Sequence, residues 1–253
     1  MALQTFLPDH EWMGSVLPDG IPVGRTTLIS GPGGSGKPLI GFSFVDAWLR
    51  AGGSVVVLLT NSGADFVVET MRALYDIDLE EHGDRVVWVD FDPTMEPSVD
   101  AMERTADTIR GNLVAPAVWQ RALDDATDRA PETEQGTLVF GSALNLFLFS
   151  PTYGDEMVEE FVDLAGADDE IPRLFSVSTS AFEAEIDAVE EASDTVLMTR
   201  MEEMTLYVRG ERSASVPISE EEVTVPFTPE DIKRIKSVAE ETRDTIIPTI
   251  KEI

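Results

Sequence analysis

The sequence contains no cysteine. Disulfide scaffolds, thiolate nucleophiles and zinc–thiolate centres are excluded, and the redox compartment cannot be read. Histidine is nearly absent: His10 and His82 are the only two, so a multi-histidine metal site is not expected. Lysine is scarce as well, with Lys37, Lys233, Lys236 and Lys251 the only lysines among 18 basic residues. No run approaches the ~20 apolar residues of a membrane-spanning helix. The longest, Leu138 to Phe149, is interrupted by Gly141, Ser142 and Asn145 and reads as a buried strand and the segment after it. From Met1 to Asp9 no basic side chain precedes an apolar run, so no targeting segment is read there and a cytoplasmic location is expected.

What is abundant is acid. Asp and Glu number 48 against 18 Lys and Arg, a formal charge of −30 over 253 residues. A folded chain of this size exposes roughly 11,000 Å², or about one uncompensated negative charge per 370 Å². The Debye length is near 10 Å in ~0.1 M salt and near 3 Å in 1 M, so such a surface repels itself unless salt is high. The acid-rich, lysine-poor, cysteine-free composition resembles that of proteins from salt-in extreme halophiles. It disfavours generic nucleic-acid binding, which depends on neutralising phosphates. Hydrophobic residues make up 43% of the chain, enough for a core, and length alone suggests one to two domains.

Short, nearly continuous apolar runs alternate with longer helical stretches. Strands are predicted at Thr26 to Ser30, Ser54 to Thr60, Arg85 to Asp90, Thr137 to Phe140 and Arg173 to Ser178. Runs that are apolar throughout are typical of parallel strands buried on both faces. Helices are predicted at Leu39 to Arg50, Asp65 to Leu74, Val99 to Arg110, Val118 to Arg129, Glu156 to Leu164 and Phe182 to Glu191. The implied fold is α/β, with a mostly parallel central sheet and helices on both faces. Thr195 to Met204 and Thr205 to Arg212 form an expected antiparallel hairpin at the sheet edge. After a solvated break at Ser219 to Glu222, Thr228-Pro229-Glu230-Asp231 signals a helix start. Ile232, Ile235, Val238 and Ala239 would line one face of that helix.

The sharpest motif is Gly31-Pro32-Gly33-Gly34-Ser35-Gly36-Lys37-Pro38, between the first predicted strand and a helix. Glycines let successive N–H groups converge on one anion, the helix start adds its dipole, and Lys37 adds a charge for the outer phosphates. Lys37 is also the only lysine in the first 232 residues.

With this loop the chain resembles the RecA-like P-loop ATPases, and among them the archaeal KaiC-like group. Gly20-Ile21-Pro22-Val23-Gly24 resembles that group's lead-in to the first strand. Ser193 to Leu197 resembles its late strand opening, and Tyr207-Val208-Arg209-Gly210 its Lys-x-Arg-Gly strand, whose basic residues reach a neighbouring subunit's nucleotide. The resemblance implies a single RecA/KaiC-like domain over 1–253: a lead-in at 1–24, a core at 25–217, and a tail with a helix at 218–253. It implies ATP or ADP as ligand, held by Gly31 to Pro38. Arg209 would act across a homo-oligomer, or a hetero-oligomer with a RecA/KaiC-like homologue.

Departures from the family pattern are as informative. Pro38 stands where a hydroxyl would ligate Mg²⁺. Thr60 and Asn61 stand where two acids would activate water, and neither is a base near neutral pH. Gly141 replaces the aspartate of Leu138-Val139-Phe140-Gly141-Ser142, and Tyr207 replaces one member of the basic pair. Asp65, Asp90 and Asp92 lie near strand ends and read as solvated acids. The expectation is a phosphate cradle without its usual Mg²⁺ ligands, with negligible hydrolysis, in a regulatory or assembly subunit. The competing readings are a structural subunit with an empty loop, and an active ATPase with relocated metal ligands.

Overall fold

A computed structural model describes residues 3–60, 63–79 and 81–253, leaving aside the side chains of 235–245. The β-branched runs form the middle of a ten-stranded sheet. The elements run β1 (Thr5–Phe6), α1 (Glu11–Val16), β2 (Ile21–Pro22), β3 (Thr26–Ser30), α2 (Lys37–Arg50), β4 (Ser54–Leu59) and α3 (Ala64–Tyr75). Next come β5 (Val86–Phe91), β6 (Glu103–Arg104), β7 (Thr108–Gly111), α4 (Pro116–Arg129), β8 (Thr137–Gly141) and α5 (Gly154–Ala165). The chain continues with β9 (Arg173–Ser176), α6 (Glu183–Ala192), β10 (Thr195–Glu202), β11 (Thr205–Ser213), β12 (Val223–Val225) and α7 (Pro229–Ile250).

The sheet order is β12-β11-β10-β3-β9-β8-β4-β5-β7-β6. From β10 to β7 every neighbouring pair is parallel. Antiparallel strands close both edges: β6 on one, the β10–β11 hairpin with β12 on the other. Alternate side chains feed two separate cores. Ile29, Val55, Val57, Leu138 and Leu197 pack with α1, α2 and α3 on one face. Leu28, Val56, Leu58, Val139 and Val196 pack with α4, α5 and α6 on the other. That two-sided burial is why the strands read as unbroken apolar runs.

One predicted element is wrong. Residues 99–110 form a short 3-10 turn at Val99–Ala101, then β6 and β7, rather than a helix. The helical spacing of Val99, Met102 and Ile109 is real, and Met102 and Ile109 are buried. A polar turn overrides it. Thr105 N–H donates to Thr108 O, and Thr108 N–H donates to Thr105 Oγ1. β-Branched Thr108 and Ile109 then pair with Trp88 and Val89 of β5. The short elements α1, β1, β2 and β12 are not anticipated by the periodicity.

The chain before β3 is no loose leader: Trp12, Met13, Val16, Leu17 and Ile21 belong to the α2-side core. The helix start at Thr228 is a full capping box, Thr228 and Asp231 each satisfying the other's backbone N–H. Ile232 is buried in the α2-side core and Ile250 in the opposite one. Ile235, Val238 and Ala239, expected on that helix's apolar face, lie outside the described side chains. Among the described residues no helix is long and apolar enough to cross a membrane.

Candidate functional site

The glycine-rich loop leaves the carboxyl end of β3, which lies between β9 and β10 near the middle of the sheet. In open α/β sheets ligand crevices form outside the carboxyl ends of strands. Three loop glycines, Gly31, Gly34 and Gly36, have positive φ, Gly34 at +73°. Gly31 has φ +148°, and a Cβ there would lie 2.4 Å from Thr199 Oγ1 and 2.5 Å from Thr199 O. Gly36 caps α2 in the left-handed region at φ +75°, conformational space that favours glycine. Pro38 fits the first turn, where its missing N–H costs no helical bond. Pro32, Gly33 and Gly34 are exposed, whereas Ser35, Gly36 and Lys37 are buried.

Lys37 does not point into solvent. It is 6% exposed. Its Nζ donates to Gly31 O at 2.9 Å, Pro32 O at 2.7 Å and Ser35 Oγ at 3.1 Å. An ammonium has three donors, so all are used within the loop. Burial pushes its pKa down to about 7. The hydroxyl chain continues outward: Ser35 Oγ lies 2.7 Å from Thr199 Oγ1, which donates to Ser30 O at 3.0 Å. With the Thr199 proton committed to Ser30, Ser35 is the donor to Thr199 and the acceptor from Lys37. From the segment after β9, Thr179 N–H donates to Gly31 O at 3.0 Å, and Ser180 Oγ accepts the Gly33 N–H at 2.8 Å. Lys37 is the one cation among the described residues that hydrogen-bond within or to this loop. Thr199 and Ser180 escape a sequence reading because they lie 164 and 147 residues from their loop partners.

The neighbouring strand ends are built differently. Thr60, 1% exposed, donates its hydroxyl to Ser142 O, joining the chain just beyond β4 to that just beyond β8. Asn61 lies outside the described residues. A Cβ at Gly141 would come 2.9 Å from Leu58 Cδ1, 3.1 Å from Leu144 Cδ2 and 3.2 Å from Phe175 Cδ1. An aspartate there would put its carboxylate among packed hydrocarbon. Pro38 thus offers no hydroxyl, and a side chain at Gly141 would require Leu58, Leu144 and Phe175 to shift, so the residues present do not form an Mg²⁺ shell of the kind the resemblance implies.

The acids considered as substitutes are occupied or remote. Asp90 and Asp92 flank Arg110, the first with Oδ2 3.6 Å from Nε and the second in direct hydrogen bond with Nη2. Burial raises the Asp90 pKa. Asp65 is exposed in the first turn of α3. Arg209 is separate from the loop. Leu206 and Val208 of β11 face the α2-side core, so Arg209 projects from the other face of the sheet, where it pairs with Glu211. Arg200, opposite Tyr207, stacks over that ring with Cζ 4.4 Å from its centroid.

A cavity of about 300 Å³ between α4 and α5 is lined by Trp119, Leu123, Val139, Leu164, Glu160 and Arg173, among others. Arg173 opens β9 and pairs with Thr26, so this cavity is at the amino ends of the strands, away from the loop. No protein-family model matches the chain, and no curated protein matches it.

Proposed function

We propose that the chain is a nucleotide-binding module of RecA/KaiC-like type, holding the phosphates of ATP or ADP in the Gly31–Pro38 loop and hydrolysing them negligibly. It would act as a regulatory or assembly subunit, with itself or with a RecA/KaiC-like homologue, and Arg209 would be its contact to a neighbour's nucleotide. The carrying observation is the loop itself: obligatory glycine conformations at Gly31 and Gly36, with a lone buried lysine at the first residue of α2. Its place beyond the carboxyl end of the buried parallel strand β3 supports the same reading. The apolar wall around Gly141 and the use of Asp90 and Asp92 by Arg110 argue against hydrolysis through a relocated metal.

One observation favours the reading as a structural subunit with an empty loop. The donors that would meet a phosphate, Lys37 Nζ and Gly33 N–H, are already satisfied inside the protein. Thermal shift with millimolar ATP or ADP in molar KCl separates the two: a shift is expected, and its absence would establish the empty loop. Lys37→Ala should then weaken binding by about 10- to 150-fold, the value of a charge-assisted contact of roughly 1.5–3 kcal/mol. Equal binding by that variant would place the ligand elsewhere.

A further inference from the structure

We infer that the loop selects a nucleoside diphosphate over the triphosphate, both free of divalent metal; the inference rests on the loop being a phosphate site. A bound anion would exchange the internal acceptors of Lys37, two carbonyls and the Ser35 hydroxyl, for phosphate oxygens, and would take the Gly33 N–H from Ser180. That supplies one unit of positive charge together with amide dipoles. In an ordinary phosphate loop a metal neutralises two further charges. Here Pro38 offers no hydroxyl, and Leu58, Leu144 and Phe175 fill the space at Gly141. Among the described residues no three His, Asp or Glu side chains gather as an alternative cation site.

Apart from Lys37, the described groups that hydrogen-bond the loop are neutral. Ser180, Thr199 and the backbone of Thr179 contact it, and Thr60 is bound to Ser142 O. The arginines of the β10–β11 hairpin are engaged elsewhere. Arg200 is held by Glu202 and Glu222, Arg209 by Glu211, and Arg212 by the carbonyls of Glu190, Glu191 and Ser193. A carboxylate stands close instead, because Glu190 accepts a hydrogen bond from Ser30, the residue preceding the loop. The chain as a whole carries −30. Each phosphate charge beyond what Lys37 balances therefore enters a negative field. An added phosphate charge in such a field lowers affinity, and does so more strongly as salt falls and screening weakens. A γ-phosphate adds such a charge and finds no new cation.

The test is calorimetric titration of the full chain with ADP and with ATP, each in EDTA and molar KCl, repeated on Ser180→Lys. ADP should bind several-fold more tightly than ATP, and the margin should widen as KCl is lowered below about 1 M. The new lysine, placed where Ser180 meets the Gly33 amide, should raise ATP affinity relative to ADP by a similar factor. ATP binding as tightly as ADP would overturn the preference while leaving the phosphate-site reading intact. Binding of neither nucleotide would overturn both. A preference for ADP that Ser180→Lys leaves unchanged would overturn its electrostatic origin.

Discussion

Two regions share the carboxyl end of the sheet, with β9 between them. The loop after β3 is polar, glycine-shaped and cationic, with every donor of its lysine engaged. The ends of β4 and β8 are sealed: Thr60 is tied to a backbone carbonyl, and Gly141 is enclosed by two leucines and a phenylalanine. Each is internally satisfied in its own way. The loop keeps groups that can be handed to an anion, whereas the strand ends hold hydrocarbon that cannot accept a carboxylate without rearrangement. A metal-binding aspartate at Gly141 would therefore meet a packing obstacle as well as the missing hydroxyl at Pro38.

Three perturbations would break or sharpen this contrast. The largest effect is expected from Gly141→Asp. A carboxylate forced among Leu58, Leu144 and Phe175 meets both overpacking and an unpaired buried charge, so destabilisation of about 3 kcal/mol or more is expected by chemical denaturation. A variant as stable as wild type would show that the wall yields.

A smaller loss should follow Thr199→Val, which keeps shape but removes the hydroxyl between Ser35 and Ser30 O. Leaving the buried Ser35 hydroxyl without that partner should cost about 1–3 kcal/mol. Hydrogen exchange should rise at the loop and remain unchanged in β4 and β8; a uniform rise would deny the loop its own support from β10.

The most gradual effect, spread over several pH units, concerns Lys37. The folded pKa of Lys37, about 7, lies below its unfolded value of 10.5. Between those values the unfolded chain binds more protons than the folded one, so this group makes stability rise with pH from about 7 toward 10.5. Below pH 7 its burial penalty is present in full. Subtracting the pH–stability curve of Lys37→Met from that of wild type should reveal this slope. A flat difference would mean that the loop carbonyls hold the ammonium at its ordinary acidity.

The contrast was only half visible in the sequence. Gly31 to Lys37 could be read because glycine spacing and a single lysine are local signals, and the long parallel strands could be read because two-faced burial leaves unbroken apolar runs. The 99–110 segment misled because Val99, Met102 and Ile109 fit a helix and a buried strand pair alike. The Thr105–Thr108 turn decided between them. Thr199 and Ser180 were illegible for another reason. A threonine in a strand and a serine in a loop carry no mark of partners that the fold brings from well over a hundred positions away.

The last helix has a consequence for how the molecule is made. Ile232 joins one core and Ile250 the other, and the helix carries the chain ~27 Å from the first to the second. α7 clasps two hydrophobic layers that the sheet otherwise keeps apart. Each layer draws on strands and helices that precede this segment in the chain. The clasp can therefore close only when both layers exist, which makes it a late event of long sequence separation. Until then each half presents the apolar surface that Ile232 or Ile250 will cover, and a chain stalled there is at its most prone to self-association.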